Sequence, residues 1–335
     1  MRVGLAGAGR IGAGHAETLR ALPSVDAVVV ADADAARARA VAAKTGAEAA
    51  PSVDALFTSG LDALVVAAVT SAHAELVVRA ARAGLPVFCE KPLAPDIEGT
   101  LRLMDAVRGS GVPVQVGFQR RFDAGHVAAR EAVRSGRLGW VHTIRSCTLD
   151  PVPPPAAYIR GSGGLFRDCS VHDFDAVRFV TGREVARVCA TGANRGADFF
   201  AEAGDVDTAA ALLTLDDGTL AQVSATRYNA AGYDVRLEVY GSAGSVVAGL
   251  DDRTPLAPAG GDGAGLRPAG PPHTHFLDRF ADAYAAELGA FVDLAAGRID
   301  NPCPPEESLE ALYVAEACEL ARREHRAVAI EEIRR

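Results

Sequence analysis

Arg2-Val3-Gly4-Leu5-Ala6-Gly7-Ala8-Gly9-Arg10-Ile11-Gly12 opens the chain with a short apolar run that turns directly into a glycine-rich hexad. In a strand–turn–helix of this kind the first glycine permits the tight turn and the second lets backbone approach a pyrophosphate. The third lets helix and strand pack closely. The start of the helix then offers N–H groups and a partial positive charge to phosphate oxygens. Alone the hexad is weak evidence, because a cluster of turn glycines reads the same way. Its context adds weight: the β-branched run Val25 to Ala31 ends in Asp32, 20 residues beyond Gly12. A carboxylate there accepts hydrogen bonds from the adenosine ribose hydroxyls and repels a 2′-phosphate, so the expected cofactor is NAD rather than NADP. Asp34 is read as the cap of the next helix, and Arg37 as a solvated side chain rather than a partner for a 2′-phosphate.

Outward from this stretch the alternation continues. Gly14 to Leu22 reads as a helix with Ala16 and Leu19 inward, and Ala35 to Thr45 as another, ended by Gly46 as its C-cap. Ala63 to Val69 repeats the strand signal and His73 to Ala83 the helix signal, ended by Gly84. Val87 to Cys89 and Val114 to Gly117 continue the series. Continuous apolar strands separated by helices imply a parallel sheet covered on both faces. Near Phe122 the character changes. Ala209 to Leu215, Leu220 to Thr226 and Val235 to Tyr240 alternate apolar and polar residues, with Asp216-Asp217-Gly218-Thr219 as a hairpin turn between the first two. Residues 251 to 275, rich in Pro and Gly, read as a loop; Phe276 to Ala296 and Glu306 to His325 read as helices. The expected class is α/β: an N-terminal doubly wound parallel Rossmann domain over residues 1–121, then a C-terminal α+β domain over 122–335. The second carries an open, mainly antiparallel sheet.

Composition excludes several function classes. A formal net charge of −9 without a basic stripe argues against nucleic acid. The longest apolar run, Leu64 to Val69, is far shorter than the roughly 20 residues that span a bilayer, so no membrane partner is expected. The chain starts on a strand-like run, so no signal peptide is expected. Six cysteines, at 89, 147, 169, 189, 303 and 318, show no Cys-x-x-Cys pair and read as reduced thiols of a cytoplasmic enzyme.

Glu90-Lys91-Pro92, directly after Val87-Phe88-Cys89, begins a wider pattern. Gly117-Phe118-Gln119-Arg120-Arg121-Phe122-Asp123 extends it, as do Ser162-Gly163-Gly164-Leu165-Phe166-Arg167-Asp168, Val171-His172-Asp173-Phe174-Asp175 and Gly232-Tyr233-Asp234. On these residues the chain resembles the glucose–fructose oxidoreductase / inositol dehydrogenase / rhizopine-catabolism (Gfo/Idh/MocA) family, with most likeness to inositol 2-dehydrogenases. The resemblance covers nearly the whole chain. It implies an NAD-dependent oxidation of a secondary hydroxyl on a cyclic polyol or sugar, a homotetramer, and a cis bond at Lys91–Pro92. It also matches Lys91, Asp168 and His172 to the family's catalytic Lys, Asp and His.

The residue types suit that chemistry. Oxidising an alcohol removes the hydroxyl proton while hydride leaves carbon, and a base that titrates near neutrality does this best. Histidine needs little tuning for the role. Asp168, His172 and Asp175 fall at i, i+4 and i+7, one face of a helix, where Asp168 either orients the imidazole or holds a substrate hydroxyl. Lys91 supplies positive charge as the alkoxide develops. The alternatives stay open at this point: Lys91 as a solvated loop residue, and Asp168, Cys169, His172 and Asp175 as metal ligands. No second ligand pair is spaced for a metal elsewhere, so none is expected. Cys169 reads as a small apolar filler. The candidate cofactor-binding residues are Gly7, Gly9, Arg10, Ile11, Gly12, Asp32, Thr70, His73, Glu90 and Gln119, with His73 either a helix cap or a ribose contact. Arg121, Asp150, Asp175 and Tyr233 are expected around the reacting carbon at the cleft between domains, although Arg121 and Asp175 also read as a structural ion pair. The other histidines read as surface or packing residues.

Two positions depart from the inositol dehydrogenase pattern. Where that group carries an Asn and an extra Tyr before Gly-Tyr-Asp, this chain has Ala225 and Ala231. Losing polar groups changes which polyol is recognised, so an aminocyclitol or an aldose competes with inositol. An NAD-dependent glycosidase of similar fold and a non-catalytic NAD or sugar sensor are the other readings. Lys91, Asp168 and His172 weigh against the sensor, since binding alone needs no base. Finally, an open sheet with one uncovered face is expected to be hidden by self-association.

Overall fold

The computed structural model describes residues 1–256 and 270–334. Of the loop expected at 251–275, residues 257–269 lie outside the described residues, and the flanking described positions form neither helix nor strand. The chain forms two compact units. One contains Met1–Phe122 and Asp282–Leu309, the other Asp123–Ala281 and Glu310–Arg335. Residues 282–309, read from sequence as part of the second domain, thus group with the first.

The first unit holds six strands: β1 (Arg2–Ala6), β2 (Ala27–Ala31), β3 (Glu48–Ala49), β4 (Ala63–Val66), β5 (Val87–Glu90) and β6 (Val114–Gly117). They pair in parallel in the order β3-β2-β1-β4-β5-β6. The order reverses at β1, and it places the β1–helix turn at the carboxyl ends of β1 and β4. Val3, Leu5, Val28, Val30, Val65 and Phe88 share a core with Leu288, Phe291 and Val292 of the Ala281–Ala295 helix. The Phe88 and Phe291 rings lie 5.8 Å apart. This apolar face explains why residues 282–309 rejoin the first unit.

Several boundaries differ from the periodicity. The first helix runs Arg10–Ala21, starting at the glycine turn rather than at Gly14. The helix expected at His73 begins at Thr70, because β4 ends at Val66. Ile97–Val107, a helix absent from the sequence reading, is capped by the Asp96 carboxylate accepting from Gly99 N. Ala35–Thr45 is found as expected, with Asp34 capping it and Gly46 left-handed at φ 70°.

The second unit holds β7 (Val141–Leu149), β8 (Val185–Ala193), β9 (Thr208–Leu215), β10 (Leu220–Thr226), β11 (Asp234–Gly241), β12 (Gly244–Ala248) and β13 (Val328–Ala329). Their order is β12-β11-β7-β10-β9-β8-β13, antiparallel throughout except between β7 and β10. β7 escaped the sequence reading for a physical reason. Its buried residues include Ser146 and Thr148, whose hydroxyls donate to the fully buried Asp173 carboxylate at 2.5 and 2.7 Å. A strand that buries hydroxyls shows no apolar alternation. The long helix expected at 276–296 breaks at Phe280, where the chain passes from one unit to the other. The helix expected at 306–325 spans Pro305–Glu324.

Phe291 is fully buried, so Phe291→Ala is expected to cost about 3–5 kcal/mol. Urea unfolding of the purified variant measures this. A loss under about 1 kcal/mol, the scale of a surface substitution, would mean the helix does not complete the first core.

Candidate active site

In the first unit the glycine turn is built by close packing. Gly7 has φ 109°, and a Cβ there would lie 2.4 Å from the Ala67 carbonyl oxygen. A Cβ at Gly12 would fall 2.0 Å from Gly7 O. At Gly9, by contrast, an added Cβ meets no described atom within 4 Å. Two glycines are therefore demanded by the fold, and the middle one leaves an open approach to backbone. Gly9 is also the N-cap of the Arg10–Ala21 helix, whose first turn includes Ile11 and carries the positive end of the helix dipole. Asp32 lies alongside. Its Oδ2 accepts from Ala8 N at 2.7 Å and its Oδ1 from Asp34 N at 2.9 Å. Carboxylate oxygens accept more than one bond each, so both keep capacity for ribose hydroxyls. This cradle fits a dinucleotide, and Gly7, Gly9, Gly12 and Asp32 are the residues that would hold it.

Arg37 is half exposed, yet its guanidinium lies 3.6 Å from Asp32 and 4.0 Å from Asp34. It is thus paired with carboxylates rather than merely solvated. His73 is not the helix cap that was one of its two expected roles. Val69 is the N-cap, and the His73 ring nitrogens face two backbone carbonyls, Pro92 O at 2.8 Å and Ala68 O at 3.0 Å. A neutral imidazole has one N–H, so the ring donates to one of these two carbonyls, one in the loop after β4 and the other in the loop after β5. Thr70 starts the same helix.

Glu90, at the end of β5, is buried and bonded through Oε1 to His15 Nε2 at 2.7 Å. Gly117 makes room for it, since a Cβ there would stand 2.9 Å from Glu90 Oε2. His15 is itself buried, edge-on to Phe88 and Tyr284. Lys91 follows, half buried, joined to Pro92 by a cis bond as the resemblance implied. Gln119 is buried in the short turn Gln119–Phe122. Arg121 donates to Glu307 at 2.8 Å and to Pro302 O at 3.4 Å. Its ion pair with Glu307 had no signal in the sequence.

In the second unit, Asp168 does not continue the α-helical face that its spacing suggested. Phe166–Ser170 form a π turn, and the α-helix Val171–Thr181 follows. Turns of this kind, which change the angular step between residues, occur often at functional sites. His172 is half buried at the start of that helix, and Asp175 is fully buried. Tyr233 is buried, with its backbone N–H on His273 O. Asp168 accepts from the Tyr158 hydroxyl on Oδ1 at 2.9 Å and from the Arg227 guanidinium on Oδ2 at 2.6 Å. Arg227 also donates to Asp150 at 2.8 Å, and the Cys169 thiol lies 3.7 Å from the same carboxylate. Cys169 is buried as expected.

Arg227 and Tyr158 were not singled out from the sequence. Burial opposes the Arg227 charge, but Cys169, Asp168 and Asp150 outweigh it and hold the guanidinium well above its ordinary range. Desolvation of the Tyr158 hydroxyl end, reinforced by Asp168, pushes that phenol far up. Both groups therefore remain donors across neutral pH. Among the described residues no group of three or more His, Cys, Asp or Glu is placed to hold a metal, and no helix is long and apolar enough to cross a membrane.

Comparison with known proteins adds what geometry alone does not. Residues 1–118 match the model of an oxidoreductase family with an NAD-binding Rossmann fold, and residues 126–247 match the GFO/IDH/MocA C-terminal domain. The chain is 42% identical over 322 residues to a myo-inositol dehydrogenase of Streptomyces leeuwenhoekii, covering 95% of this chain and 96% of that one. It is 38% identical over 331 residues to the inositol 2-dehydrogenase of Rhizobium meliloti, covering 98% and 99%. The crystal structure of a scyllo-inositol dehydrogenase from Lactobacillus casei, with NAD(H) and scyllo-inositol bound, matches at a TM-score of 0.88 and 29% identity over 99% of each chain.

If Asp32 sets cofactor choice, Asp32→Ser should lower the ratio of kcat/KM for NAD over NADP by roughly 10–100-fold, the worth of a charged hydrogen bond. An unchanged ratio in paired steady-state assays would remove Asp32 from that role.

Proposed function

The chain belongs to the GFO/IDH/MocA family of NAD-dependent oxidoreductases, and from that premise we propose that it oxidises one ring hydroxyl of an inositol. The observation that carries the proposal is the Asp168 carboxylate, anchored through both oxygens one helical turn before His172. A fixed acceptor beside a base is what deprotonation of a chosen hydroxyl requires. The near full-length likeness to inositol dehydrogenases supports the same substrate class. Bound NAD supplies the hydride acceptor.

In this proposal His172 takes the hydroxyl proton, because a neutral imidazole is competent at neutral pH. Lys91 stabilises the developing charge on oxygen, and Asp168 accepts a hydrogen bond from the substrate. Asp150, Asp175 and Tyr233 orient the remaining hydroxyls. Arg121 acts from behind, its guanidinium committed to Glu307. Ala225, buried at the end of β10, and Ala231 leave fewer hydroxyl partners, which keeps an aminocyclitol or an aldose as the second substrate class.

We also propose a cytoplasmic homotetramer that hides the outer face of the second unit's sheet. Leu212, Leu220 and Val247 stand more than 40% exposed there, alternating with the buried residues of the same strands. That face also carries a shallow cavity lined in part by Cys147, Cys189, Gln222 and Arg236. All six cysteines are free, as suits a reducing compartment.

Two measurements test these proposals. NADH formation should appear with an inositol isomer in a panel that includes aminocyclitols and aldoses, and the rate should rise with pH as the imidazole loses its proton. His172→Ala should lower kcat by roughly 10²–10⁴-fold and erase that rise; near-native kcat with the same pH limb would leave Lys91 as the base. Sedimentation at micromolar concentration should show an assembly larger than the 34.6 kDa chain, and a monomer alone would defeat the tetramer.

A further inference from the structure

We infer that Arg227 and Tyr158 are positioning residues for the reaction, together holding Asp168 as a fixed, ionised acceptor and tying it to Asp150. The inference rests on the proposed place of Asp168 in the polyol site. Arg227 is only 3% exposed, so its charge has left water and must be met by protein. Its two terminal nitrogens go to different carboxylates, Nη1 to Asp150 at 2.8 Å and Nη2 to Asp168 at 2.6 Å. A planar guanidinium sharing itself this way fixes the spacing and angle of the two acids more rigidly than a lysine ammonium, a point charge on a flexible stem.

Tyr158 completes the arrangement from the other side. It lies on the short Ala156–Ile159 helix, and its hydroxyl donates to Asp168 Oδ1 at 2.9 Å. With one donor on each oxygen, the ionised form of Asp168 is the favoured one. Asp168 therefore enters turnover as an acceptor, and the substrate proton passes to another group. Other charged or titratable groups surround the cluster. Cys169 sits on the same turn, with Sγ 3.7 Å from Asp150, and His172 begins the next helix. Asp205 accepts from Leu165 N; burial raises its pKa, and Arg227 is among the groups that oppose the rise. One guanidinium thus faces several acids.

Three variants of the full chain separate the contributions. Tyr158→Phe removes one hydroxyl from a side chain that is half exposed, so the fold is expected to survive it. Arg227→Lys keeps the charge and loses the fork. Arg227→Gln loses both. With NAD and the best polyol, Tyr158→Phe should lower kcat roughly 3–10-fold, as for one lost hydrogen bond. Arg227→Lys should lower it roughly 10–100-fold, as for a charged one. KM for NAD should stay within about twofold in both, since neither residue belongs to the cofactor cradle. Arg227→Gln should add an acid limb to the pH–rate profile that Arg227→Lys lacks, because carboxylates without their guanidinium take up protons as pH falls. The same uptake relieves repulsion in the apo protein, so the Tm deficit of Arg227→Gln should shrink between about pH 8 and pH 5. Folded Tyr158→Phe and Arg227→Lys proteins with unchanged kcat and pH profile would overturn the positioning role. A Tm deficit independent of pH would overturn the charge clamp. A wild-type protein that reduces no NAD with any polyol would instead defeat the substrate reading, and the Tm comparison would still judge the clamp.

Discussion

Where β7 and β10 run parallel, the residues just past their ends arrive side by side. Thr226 pairs with Leu149 in the register, Asp150 N–H donates to Thr226 O, and Arg227 N–H to Asp207 O. Backbone pairing therefore brings Asp150 and Arg227 together just past the carboxyl ends of these two interior strands. The requirement that a buried guanidinium be met by carboxylates then draws the π turn bearing Asp168 against them. The rest of the second unit's site follows from that demand. Asp173, on the same helix as His172, is held down by Ser146 and Thr148 of β7, so the helix is anchored to the sheet by hydrogen bonds at a level where an apolar face would be expected.

The first unit solves a different problem by similar means. Apart from the two-residue, exposed β3, its strands are mostly apolar and buried, which settles the sheet through the hydrophobic effect. Its loops are then pinned by paired polar groups. His15 bonds Glu90, linking the helix after the glycine turn to the end of β5, and the His73 ring lies between the carbonyls of Ala68 and Pro92, with its one N–H for either. Lys91 lies between Glu90 and Pro92, two residues that are themselves held. A lysine mounted this way is constrained at its backbone while its side chain stays half buried.

The reach of sequence reasoning differed between these two kinds of organisation. Glycine spacing and Asp32 were legible because their roles are local: a turn, a close approach, a carboxylate at a strand end. Asp168 and His172 were marked as catalytic candidates by resemblance and residue chemistry. Arg227 was not. It sits in Thr226-Arg227-Tyr228 with no periodicity to mark it, and its meaning depends on the parallel neighbour of β10. Tyr158 was hidden in a Pro-rich stretch that offers no pattern. The Asp168–His172–Asp175 spacing was real in sequence but misjudged in geometry, because a π turn precedes the helix. Likewise 282–309 looked continuous with what precedes it, yet its apolar residues fill the first core.

By itself the sequence determined the doubly wound sheet, the open alternating sheet, the dinucleotide turn and the acidic residue that accompanies it. Each follows from short-range rules of turn geometry, capping and hydrophobic period, which act within a few residues. Tertiary structure alone decided which charges meet, which groups the buried histidines face, and to which unit the Ala281–Ala295 helix belongs. Those outcomes arise from desolvation. A buried ionic or polar group must find its partner wherever the fold brings one, and for Arg227 those partners are Asp150 and Asp168, 77 and 59 residues away along the chain.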